Sequence, residues 1–451
     1  MYQKILIANR GEIAVRIIRA CREMGIASVA VCSEADKEAL HAQLADECIC
    51  IGPARPKDSY LNMEQILSAA LVTGAQAIHP GFGFLSENTK FARMCMQCGI
   101  DFIGPSPESM EKMGDKAEAR KTMIRAGVPV IPGTKEEFTD VEEAKKEADR
   151  IGYPVIIKAS VGGGGRGMRV VQSVSEFSNL FTVAQNETMQ AFGDNRMYLE
   201  KYLISARHIE VQILADKAGN TIHLGERDCT IQRRHQKMIE ETPAVFLSER
   251  LRREMGSAAV KAARAAGYFS AGTVEFLVDS EKNFYFMEMN TRIQVEHPVT
   301  EMVTDTDLIK EMIRISAGEQ LSYQQEDIHV SGHAIECRIS AEDPKRAFLP
   351  CAGTVTNLHM PGGNGVRIDS LLYSGCVISP YYDSMIAKVI VHAETRNEAI
   401  QKMRSALGEF VIEGIETNLD YQYELISSLA FKQGDVAFIN EMLEERCEKT
   451  C

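Results

Sequence analysis

The sequence lacks a long hydrophobic run and an excess of positive charge. No apolar stretch approaches the ~18 residues of a membrane-spanning helix, and residues 1–10 read as a short strand rather than a signal peptide. The 50 Lys and Arg residues against 63 Asp and Glu give a net charge of −13, which offers nucleic acid no electrostatic attraction. The twelve cysteines are scattered, as in reduced proteins. We therefore expect a cytoplasmic protein that binds neither a membrane nor nucleic acid.

A dinucleotide-binding fingerprint is also missing. Residues 9–12, Asn-Arg-Gly-Glu, contain one glycine where G-x-G-x-x-G needs three, which argues against a nicotinamide cofactor. The first hundred residues nevertheless predict βαβ units and a parallel sheet, with strands at 4–8, 28–32, 75–79 and 101–103 and helices at 11–24, 58–72 and 88–98. The length of 451 residues suits two to four domains of α/β or mixed class.

Consecutive glycines join two apolar segments that are expected to pair as strands. They occupy positions 162–165 within the segment 153–171. Glycine lets backbone N–H groups approach an anion, and Lys158 and Arg166 add positive charge. No Gly-Lys-Ser/Thr follows, so the run is not a Walker A motif. Two interpretations stay open from the residues alone: a hairpin that covers phosphate groups, or an ordinary tight turn.

The segment 286–297, Phe-Met-Glu-Met-Asn-Thr-Arg-Ile-Gln-Val-Glu-His, is the densest in groups that bind metal or transfer protons. Residues 272–278 precede it and alternate with β-branched and aromatic side chains. The two stretches predict a β-hairpin whose loop centres on residues 281–282.

In that register the hairpin brings two carboxylates together. Glu275 faces Glu288, and Phe276 faces Met287 on the opposite side of the sheet. Cross-strand Cβ atoms are roughly 4.5–5.5 Å apart, so like charges there are destabilising unless a cation lies between them. Hard oxygen ligands beside an amide suit Mg²⁺ or Mn²⁺. The alternative is a solvated hairpin face, because a slip of one residue would separate the pair.

Two further segments carry local signals. Residues 224–241 concentrate cations in a net acidic chain and predict a local anion site, formed by Arg227, Arg233, Arg234, His235 and Lys237. Near the end of the chain, a helix is predicted at 395–407, with a capping box formed by Thr395 and Glu398 and a stop at Gly408.

The glycine run, the basic segment and the Glu-Met-Asn strand at 288–290, in this order, closely resemble the biotin carboxylases, a family of the ATP-grasp superfamily. The likeness runs essentially end to end, through Ile-Ala-Asn-Arg-Gly-Glu-Ile-Ala at 7–14, His-Pro-Gly-Phe-Gly-Phe-Leu-Ser-Glu-Asn at 79–88, Arg-Arg-His-Gln-Lys at 233–237 and Glu-Met-Asn-Thr-Arg-Ile-Gln-Val-Glu-His-Pro-Val-Thr-Glu at 288–301. It implies an α/β and α+β multidomain fold. The expected parts are an N-terminal Rossmann-like (pre-ATP-grasp) domain at 1–114, an ATP-grasp core at 115–330 with a glycine-rich lid at about 132–203, and a C-terminal β-rich domain at 331–446.

The resemblance also assigns roles to the residues that match the family's motifs. Those expected to bind ATP are Lys116, Lys158, Glu200, Lys201, Leu203, His208, Gln232 and His235, with Gly163, Gly164 and Gly165 over its phosphates. Those expected to hold Mg²⁺ or Mn²⁺ are Glu275, Glu288 and Asn290. Bicarbonate would be gripped by Lys237, Arg292, Gln294 and the Val295 backbone, with Glu296 as the base. Biotin would meet Phe82 and Arg338, the latter stabilising its enolate oxygen.

Two of these positions, and Val161 beside the lid glycines, carry alternatives or departures. From sequence alone, Arg338 is as readily a structural ion-pair partner of Glu336 or Glu342. The family usually has Tyr where Phe82 stands, so stacking on biotin is kept and a hydroxyl contact is lost. Val161 replaces a glycine at the start of the lid run, and its β-branch restricts the backbone, so we expect lid closure to differ in rate.

The implied reaction is ATP-dependent carboxylation of biotin by bicarbonate through carboxyphosphate. No Met-Lys-Met biotin-attachment motif and no carboxyltransferase-sized region occur in the 451 residues, so we expect a separate biotin carboxyl carrier protein and separate carboxyltransferase subunits. The favoured setting is an acetyl-CoA carboxylase of fatty acid synthesis, with the chain as a homodimer. Alternatives are the same half-reaction serving propionyl-CoA, pyruvate or urea, a biotin-independent ATP-grasp ligase, and a non-catalytic nucleotide-binding regulator.

Overall fold

The computed structural model describes residues 1–134, 136–160, 167–204, 206–234, 236–435 and 439. The architecture is α/β and α+β and multidomain, as predicted. Among the described residues, no helix is both long and apolar enough to cross a bilayer.

The N-terminal region folds around a parallel sheet, which confirms the βαβ prediction. Its elements are β1 (Lys4–Ile7), α1 (Gly11–Glu23), β2 (Ala27–Cys32), α2 (Leu40–Leu44), β3 (Glu47–Cys50), α3 (Met63–Thr73), β4 (Ala77–His79), α4 (Thr89–Gln97) and β5 (Asp101–Phe102). The strands lie in the order β3-β2-β1-β4-β5, and every neighbouring pair is parallel. The loops after β1 and β4 therefore meet at one sheet edge. There the Asn9 amide donates to the carbonyl oxygens of Pro80 and Phe82, each at 2.7 Å.

A small antiparallel sheet follows in the middle of the chain. The elements here are α5 (Pro107–Gly114), α6 (Lys116–Arg125), α7 (Val141–Ile151), β6 (Val155–Ala159), β7 (Arg169–Val171), α8 (Val174–Phe192) and β8 (Met197–Lys201). The strand order is β7-β6-β8, so the segments on either side of the glycine run pair as predicted. Helices α7 and α8 cover the sheet through the buried side chains of Ala144, Phe177 and Phe181.

The largest sheet spans the middle and the C-terminal part of the chain. The elements in the middle of the chain are β9 (Arg207–Ala215), β10 (Thr221–Arg233), β11 (Gln236–Thr242), α9 (Glu249–Ala266), β12 (Ser270–Val278), β13 (Phe284–Asn290), α10 (His297–Thr304) and α11 (Leu308–Ser316). Those in the later part are β14 (His333–Ser340), β15 (Glu342–Asp343), β16 (Leu349–Pro350), β17 (Gly353–Thr354), β18 (Asn357–His359), β19 (Val366–Ser370), β20 (Val377–Ile378), β21 (Met385–Ala393), α12 (Arg396–Glu409), β22 (Val411–Glu413), α13 (Leu419–Ser427) and α14 (Leu429–Gln433). Separate two-stranded sheets pair β15 with β16, β17 with β20 and β18 with β22. The largest sheet contains β9 to β13 from the middle part and β14, β19 and β21 from the later part. The order is β13-β12-β9-β10-β11-β14-β21-β19. The β11–β14 pairing places side chains from both parts on one continuous surface.

Helix α12 confirms one capping prediction and corrects another. The Thr395 hydroxyl accepts from the Glu398 N–H and the Glu398 carboxylate accepts from the Thr395 N–H, which is the expected capping box. Gly408 does not end the helix, which continues to Glu409. A side chain at 408 would meet only a ring carbon of Tyr423 at 3.6 Å. The helix ends at Glu409, and the C-cap residue Phe410 is extended, with its buried ring in the core.

Candidate active site

The β12–β13 hairpin places Glu275 directly opposite Glu288, as predicted. The route to that register differs from the prediction. Phe276 pairs with Phe286, and a β-bulge between Glu275 and Phe276 shifts the ladder by one residue. The predicted pairing of Phe276 with Met287 is therefore wrong. The bulge brings Glu288 opposite Glu275, because two residues on one strand then face one on its partner.

The two carboxylates have different surroundings. Glu275 Oε1 accepts hydrogen bonds from Asn290 Nδ2 at 2.7 Å, Gln294 Nε2 at 3.0 Å and Lys237 Nζ at 3.1 Å. Burial would raise the pKa of Glu275, but Lys237 and His208 outweigh it and hold that pKa well below its usual range. Burial, and then the Glu275 charge, raise the pKa of Glu288. Within the part of the chain that the structure describes, the Glu288 carboxylate has no hydrogen-bond or ion-pair partner.

This donor set fits a small divalent cation. The ionised, buried carboxylate of Glu275 faces that of Glu288, which has no hydrogen-bond donor among the described residues. Asn290 lies beside both, and its side-chain amide donates a hydrogen bond to Glu275. Carboxylate and amide oxygens are the ligands that Mg²⁺ and Mn²⁺ prefer.

Glu296 is a fully buried carboxylate at the start of α10, held by two cations from other strands. Its Oε1 accepts from Lys237 Nζ at 2.6 Å, and its Oε2 accepts from Arg338 Nη2 at 2.8 Å. Burial alone would raise the pKa of Glu296, but Lys237 and Arg338, with Arg227, hold it well below its usual range. The group is therefore ionised at neutral pH and can accept a proton from a ligand that displaces one of its cationic partners.

Lys237 joins the base to the paired carboxylates. Its ammonium also lies 2.5 Å from Glu210 Oε2, so that it contacts Glu210, Glu275 and Glu296 together. These three carboxylates raise the pKa of Lys237 well above its usual value, although burial opposes them. A permanent cation at this point favours an anion next to Glu296.

Arg338 does not form its ion pairs with the nearby acidic residues of its own chain segment, Glu336 and Glu342. Its guanidinium contacts Glu240 Oε1 at 2.6 Å and Glu296 Oε2 at 2.8 Å. The sequence-based alternatives, Glu336 and Glu342, are therefore wrong as partners. Arg338 instead reaches Glu240, a diagonal neighbour on β11, and Glu296 at the start of α10.

Arg292 and Gln294 line the same wall. Arg292 Nη1 donates to Gln294 Oε1 at 2.8 Å, and its Nε donates to Glu87 Oε2 at 3.1 Å. Gln294 in turn donates to Glu275. The carbonyl oxygen of Val295 accepts from Lys388 Nζ at 2.7 Å.

On the other side lie the residues that were predicted to bind ATP. Lys158 Nζ pairs with Glu200 Oε2 at 2.5 Å, and Gln232 Nε2 lies 3.0 Å from His208 Nδ1. Lys201 Nζ donates to the backbone oxygens of Gly152 and Tyr153 at 2.9 and 3.0 Å. Gly163, Gly164, Gly165 and His235, together with the departure at Val161, lie outside the described residues.

A cleft of about 1910 Å³ brings the two groups together. Every described residue to which the resemblance gives a role lines it: Phe82, Lys116, Lys158, Glu200, Lys201, Leu203, His208, Gln232, Lys237, Glu275, Glu288, Asn290, Arg292, Gln294, Val295, Glu296 and Arg338. Lys116 begins α6, and Phe82 comes from the loop after β4. The predicted residues thus converge from separate parts of the chain onto a single surface.

Comparison with known proteins shows which family has a chain of this kind. The family model for the biotin carboxylase N-terminal domain matches residues 1–110, that for the carbamoyl-phosphate synthase L chain ATP binding domain matches 115–324, and that for the biotin carboxylase C-terminal domain matches 336–441. Biotin carboxylase 1 of Bacillus subtilis is 58% identical over 436 residues, which cover 96% of this chain and 97% of that protein. The chain belongs to the biotin carboxylase family. The protein is accordingly an ATP-grasp ligase with biotin carboxylase activity.

Solved structures agree with the biotin carboxylase fold. A biotin carboxylase–beta-gamma-ATP complex from Campylobacter jejuni matches with a TM-score of 0.93 and 52% identity, over 96% of this chain and 97% of that chain. The biotin carboxylase domain dimer of Hydrogenobacter thermophilus 2-oxoglutarate carboxylase matches with a TM-score of 0.91 and 52% identity, over 96% of each chain. That structure is a complex with MgADP, ADP and bicarbonate.

Sequence reasoning missed four acidic or basic groups of this biotin carboxylase cleft and its wall. Glu87 contacts Arg292, Glu210 contacts Lys237, Glu240 contacts Arg338 and Lys388 contacts Val295. Glu210 lies at a fully buried position of β9, and a charged residue within an apolar strand sequence was the available signal. For the others, the signal exists only in the packing.

Proposed function

We propose that this chain carboxylates biotin on a separate carrier protein, using bicarbonate and ATP through carboxyphosphate. The observation that carries the proposal is the placement of the Glu296 carboxylate between Lys237 and Arg338, beside the Glu275–Glu288 pair. A base, an anion-binding cation and a metal-binding pair are the groups that this reaction needs. The neighbouring complexes with nucleotide and bicarbonate support the same assignment.

The first step is deprotonation and phosphorylation of bicarbonate. Bicarbonate is a poor nucleophile, and its anion would be held by Lys237, Arg292, Gln294 and the Val295 backbone. Lys237 Nζ is 2.6 Å from Glu296 Oε1, so an anion on Lys237 lies within reach of this base. The approach of that anion raises the proton affinity of Glu296, because two like charges become neighbours. The carbonate oxygen then attacks the γ-phosphorus of ATP, and ADP leaves.

Glu275, Glu288 and Asn290 would hold Mg²⁺ or Mn²⁺ next to the nucleotide. The ion would neutralise part of the charge on the transferring phosphoryl group. Lys116, Lys158 and His208 add positive charge at the same end of the cleft, and Lys201, Leu203, Glu200 and Gln232 would complete the ATP site with His235 and Gly163–Gly165.

The second step transfers the carboxyl group to biotin. Carboxyphosphate breaks its C–O bond to release CO₂ and phosphate, and the phosphate takes the proton from biotin N1. The resulting enolate oxygen carries negative charge that the Arg338 guanidinium would stabilise, and the biotin ring would pack against Phe82. The deprotonated N1 then attacks the carbon of CO₂ to give carboxybiotin.

We further propose that the chain serves an acetyl-CoA carboxylase as a cytoplasmic homodimer, with a biotin carboxyl carrier protein and carboxyltransferase subunits as partners. Its domains would be those expected above, at 1–114, 115–330 and 331–446. A second setting is supported by specific relatives. A pyruvate carboxylase subunit of Methanothermobacter thermautotrophicus is 53% identical over 97% of this chain and 89% of that protein, so a pyruvate or 2-oxoglutarate carboxylase is the rival.

The test is ATP hydrolysis by the purified chain with bicarbonate and free biotin added separately. We expect ADP release that requires both compounds and Mg²⁺. ATP hydrolysis that does not depend on biotin would favour a biotin-independent ligase. ATP binding without turnover would favour a non-catalytic nucleotide-binding regulator. Repeating the assay with candidate carrier proteins from acetyl-CoA and pyruvate carboxylases separates the two settings, because the cognate carrier should be carboxylated at much lower concentration than free biotin.

A further inference from the structure

Lys388 is a fully buried lysine behind the wall of the cleft. It lies on β21, and its side chain is among the largest with no exposure. The ammonium donates to the Val295 carbonyl oxygen at 2.7 Å and lies 3.2 Å from Glu12 Oε1 on α1. It therefore connects the first helix of the chain, a late strand and the segment that precedes α10.

Lys388 and Arg338 form a cross-strand pair. They are direct partners in the β14–β21 ladder, so their side chains lie on the same face of the sheet. Arg338 holds the Glu296 carboxylate and Lys388 holds the carbonyl of the preceding residue, Val295. Two neighbouring cations thus fix two consecutive residues at the site of the base.

The hydrogen bond to the Val295 carbonyl oxygen explains why a lysine stands at this buried position on β21. Burial would lower the pKa of Lys388, but Glu12, Glu336 and Asp369 outweigh it and raise that pKa, so the group stays protonated. Neither carboxylate oxygen of Glu12 has a hydrogen-bond partner within the described residues. The ammonium lies 3.2 Å from Glu12 Oε1 but 2.7 Å from the Val295 carbonyl oxygen, so its shorter contact is with the backbone next to Glu296.

We propose that Lys388 is a positioning residue for bicarbonate activation, holding the Val295–Glu296 peptide so that the Glu296 carboxylate faces the bound anion. This inference rests on the function proposed above. A peptide held by a charged donor keeps its orientation when bicarbonate displaces the Lys237 contact of Glu296, because Lys388 is fully buried and does not line the cleft that bicarbonate enters.

The test is the double variant Lys388→Met/Glu12→Gln in the full chain, which removes the ammonium and its facing charge together. A hydrogen bond from a charged donor is worth about 1.5–3 kcal/mol, so we expect the KM for bicarbonate to rise by about tenfold or more. The Kd for ATP should stay within about twofold, and the melting temperature should stay near that of the wild type. Glu12→Gln alone keeps the bond to Val295 and should leave the bicarbonate KM within about twofold.

The role of Lys388 is overturned if the bicarbonate KM of the double variant is unchanged, or if Glu12→Gln alone raises that KM equally. It is also overturned if ATP affinity and melting temperature fall in proportion to the rise in the bicarbonate KM, because the change would then be a general loss of structure. If the double variant does not fold, Lys388→Gln/Glu12→Gln decides by the same criteria, because its two amides can bond to each other but the introduced glutamine is too short to reach the Val295 carbonyl. Absence of bicarbonate-dependent turnover in the wild-type chain would instead refute the proposed function.

Discussion

At the scale of single residues, the chemistry depends on Glu296 being ionised while it is fully buried. Two cations, Lys237 and Arg338, make that possible, and both also contact other carboxylates, Glu210 and Glu240. Burial raises the pKa of Glu240 to about 7, although Arg338 opposes it. The Arg338 guanidinium therefore contacts one carboxyl whose pKa is lowered, Glu296, and one whose pKa is raised, Glu240, and such a division is one that active sites use.

Replacing Glu296 tests its role as the base. Glu296→Gln keeps the shape of the side chain and removes the proton acceptor, so we expect bicarbonate-dependent ADP release to fall by about 100-fold or more. The Kd for ATP should change by less than about threefold, since Glu296 lies at the bicarbonate end. Steady-state ADP release and calorimetric ATP titration measure the two effects. Glu281→Gln in the exposed hairpin loop is the control, and turnover of Glu296→Gln equal to that control would remove Glu296 from the mechanism.

Residue-level predictions from sequence succeeded where the chemistry was local. Glu275, Glu288 and Asn290 lie on one hairpin, so the predicted register placed them together, although the structure reaches the Glu275–Glu288 pairing through a bulge. Arg338 required knowledge of sheet order, because its partners Glu240 and Glu296 come from β11 and from the start of α10. Lys388 gave no signal, since an isolated lysine in an apolar strand does not reveal which backbone oxygen it will meet.

At the scale of elements, periodicity identified the strands better than it identified two of the helices. Helix α9 packs mainly through alanines, including Ala258, Ala259 and Ala262, so its apolar face is weakly hydrophobic. Helix α8 buries Phe177 and Phe181 between polar residues. The bulge in β13 is equally hidden, because no residue type marks it. Packing decided these features, and a single sequence does not record packing.

An ion-pair cluster at Glu241 ties β11 to the C-terminal elements. Its carboxylate accepts from His333 Nε2 at 2.8 Å and from Arg396 Nε at 2.6 Å. Burial opposes ionisation, but His333 and Arg396 lower the pKa of Glu241 from 4.5 to about 2. Because the folded pKa lies below the unfolded one, the stabilisation is complete above about pH 4.5 and is lost as the pH falls towards 2.

We therefore expect Glu241→Gln to lower the free energy of unfolding by about 3 kcal/mol at pH 7. The difference from the wild type should shrink to about half of that at pH 3. Urea titrations at the two pH values measure it. Glu409→Gln is the matched control, because Glu409 forms an exposed pair with His359 and should change stability by less than about 0.5 kcal/mol. A loss in Glu241→Gln that is equal at both pH values would contradict this assignment.

At the scale of the whole molecule, buried ion pairs connect distant parts of the chain. Glu12 on α1 meets Lys388 on β21, and Arg16 on α1 meets Glu301 on α10 at 3.0 Å. Glu301 also meets Arg367 on β19 at 2.7 Å. Removing one member of such a pair leaves an uncompensated buried charge, which is strongly destabilising. The regions that meet at the cleft should therefore unfold together rather than one at a time.

Nucleotide binding tests this coupling. MgATP at about 100 times its Kd should stabilise the chain by about 2.7 kcal/mol, which for a protein of this length corresponds to about 3 °C in melting temperature. We expect one calorimetric transition that moves as a whole, with the same midpoint by circular dichroism. Glu288→Gln should reduce the shift given by MgATP, because one of the carboxylates proposed to hold the metal is gone. Two transitions, of which MgATP moves only one, would mean that the buried pairs do not couple the regions.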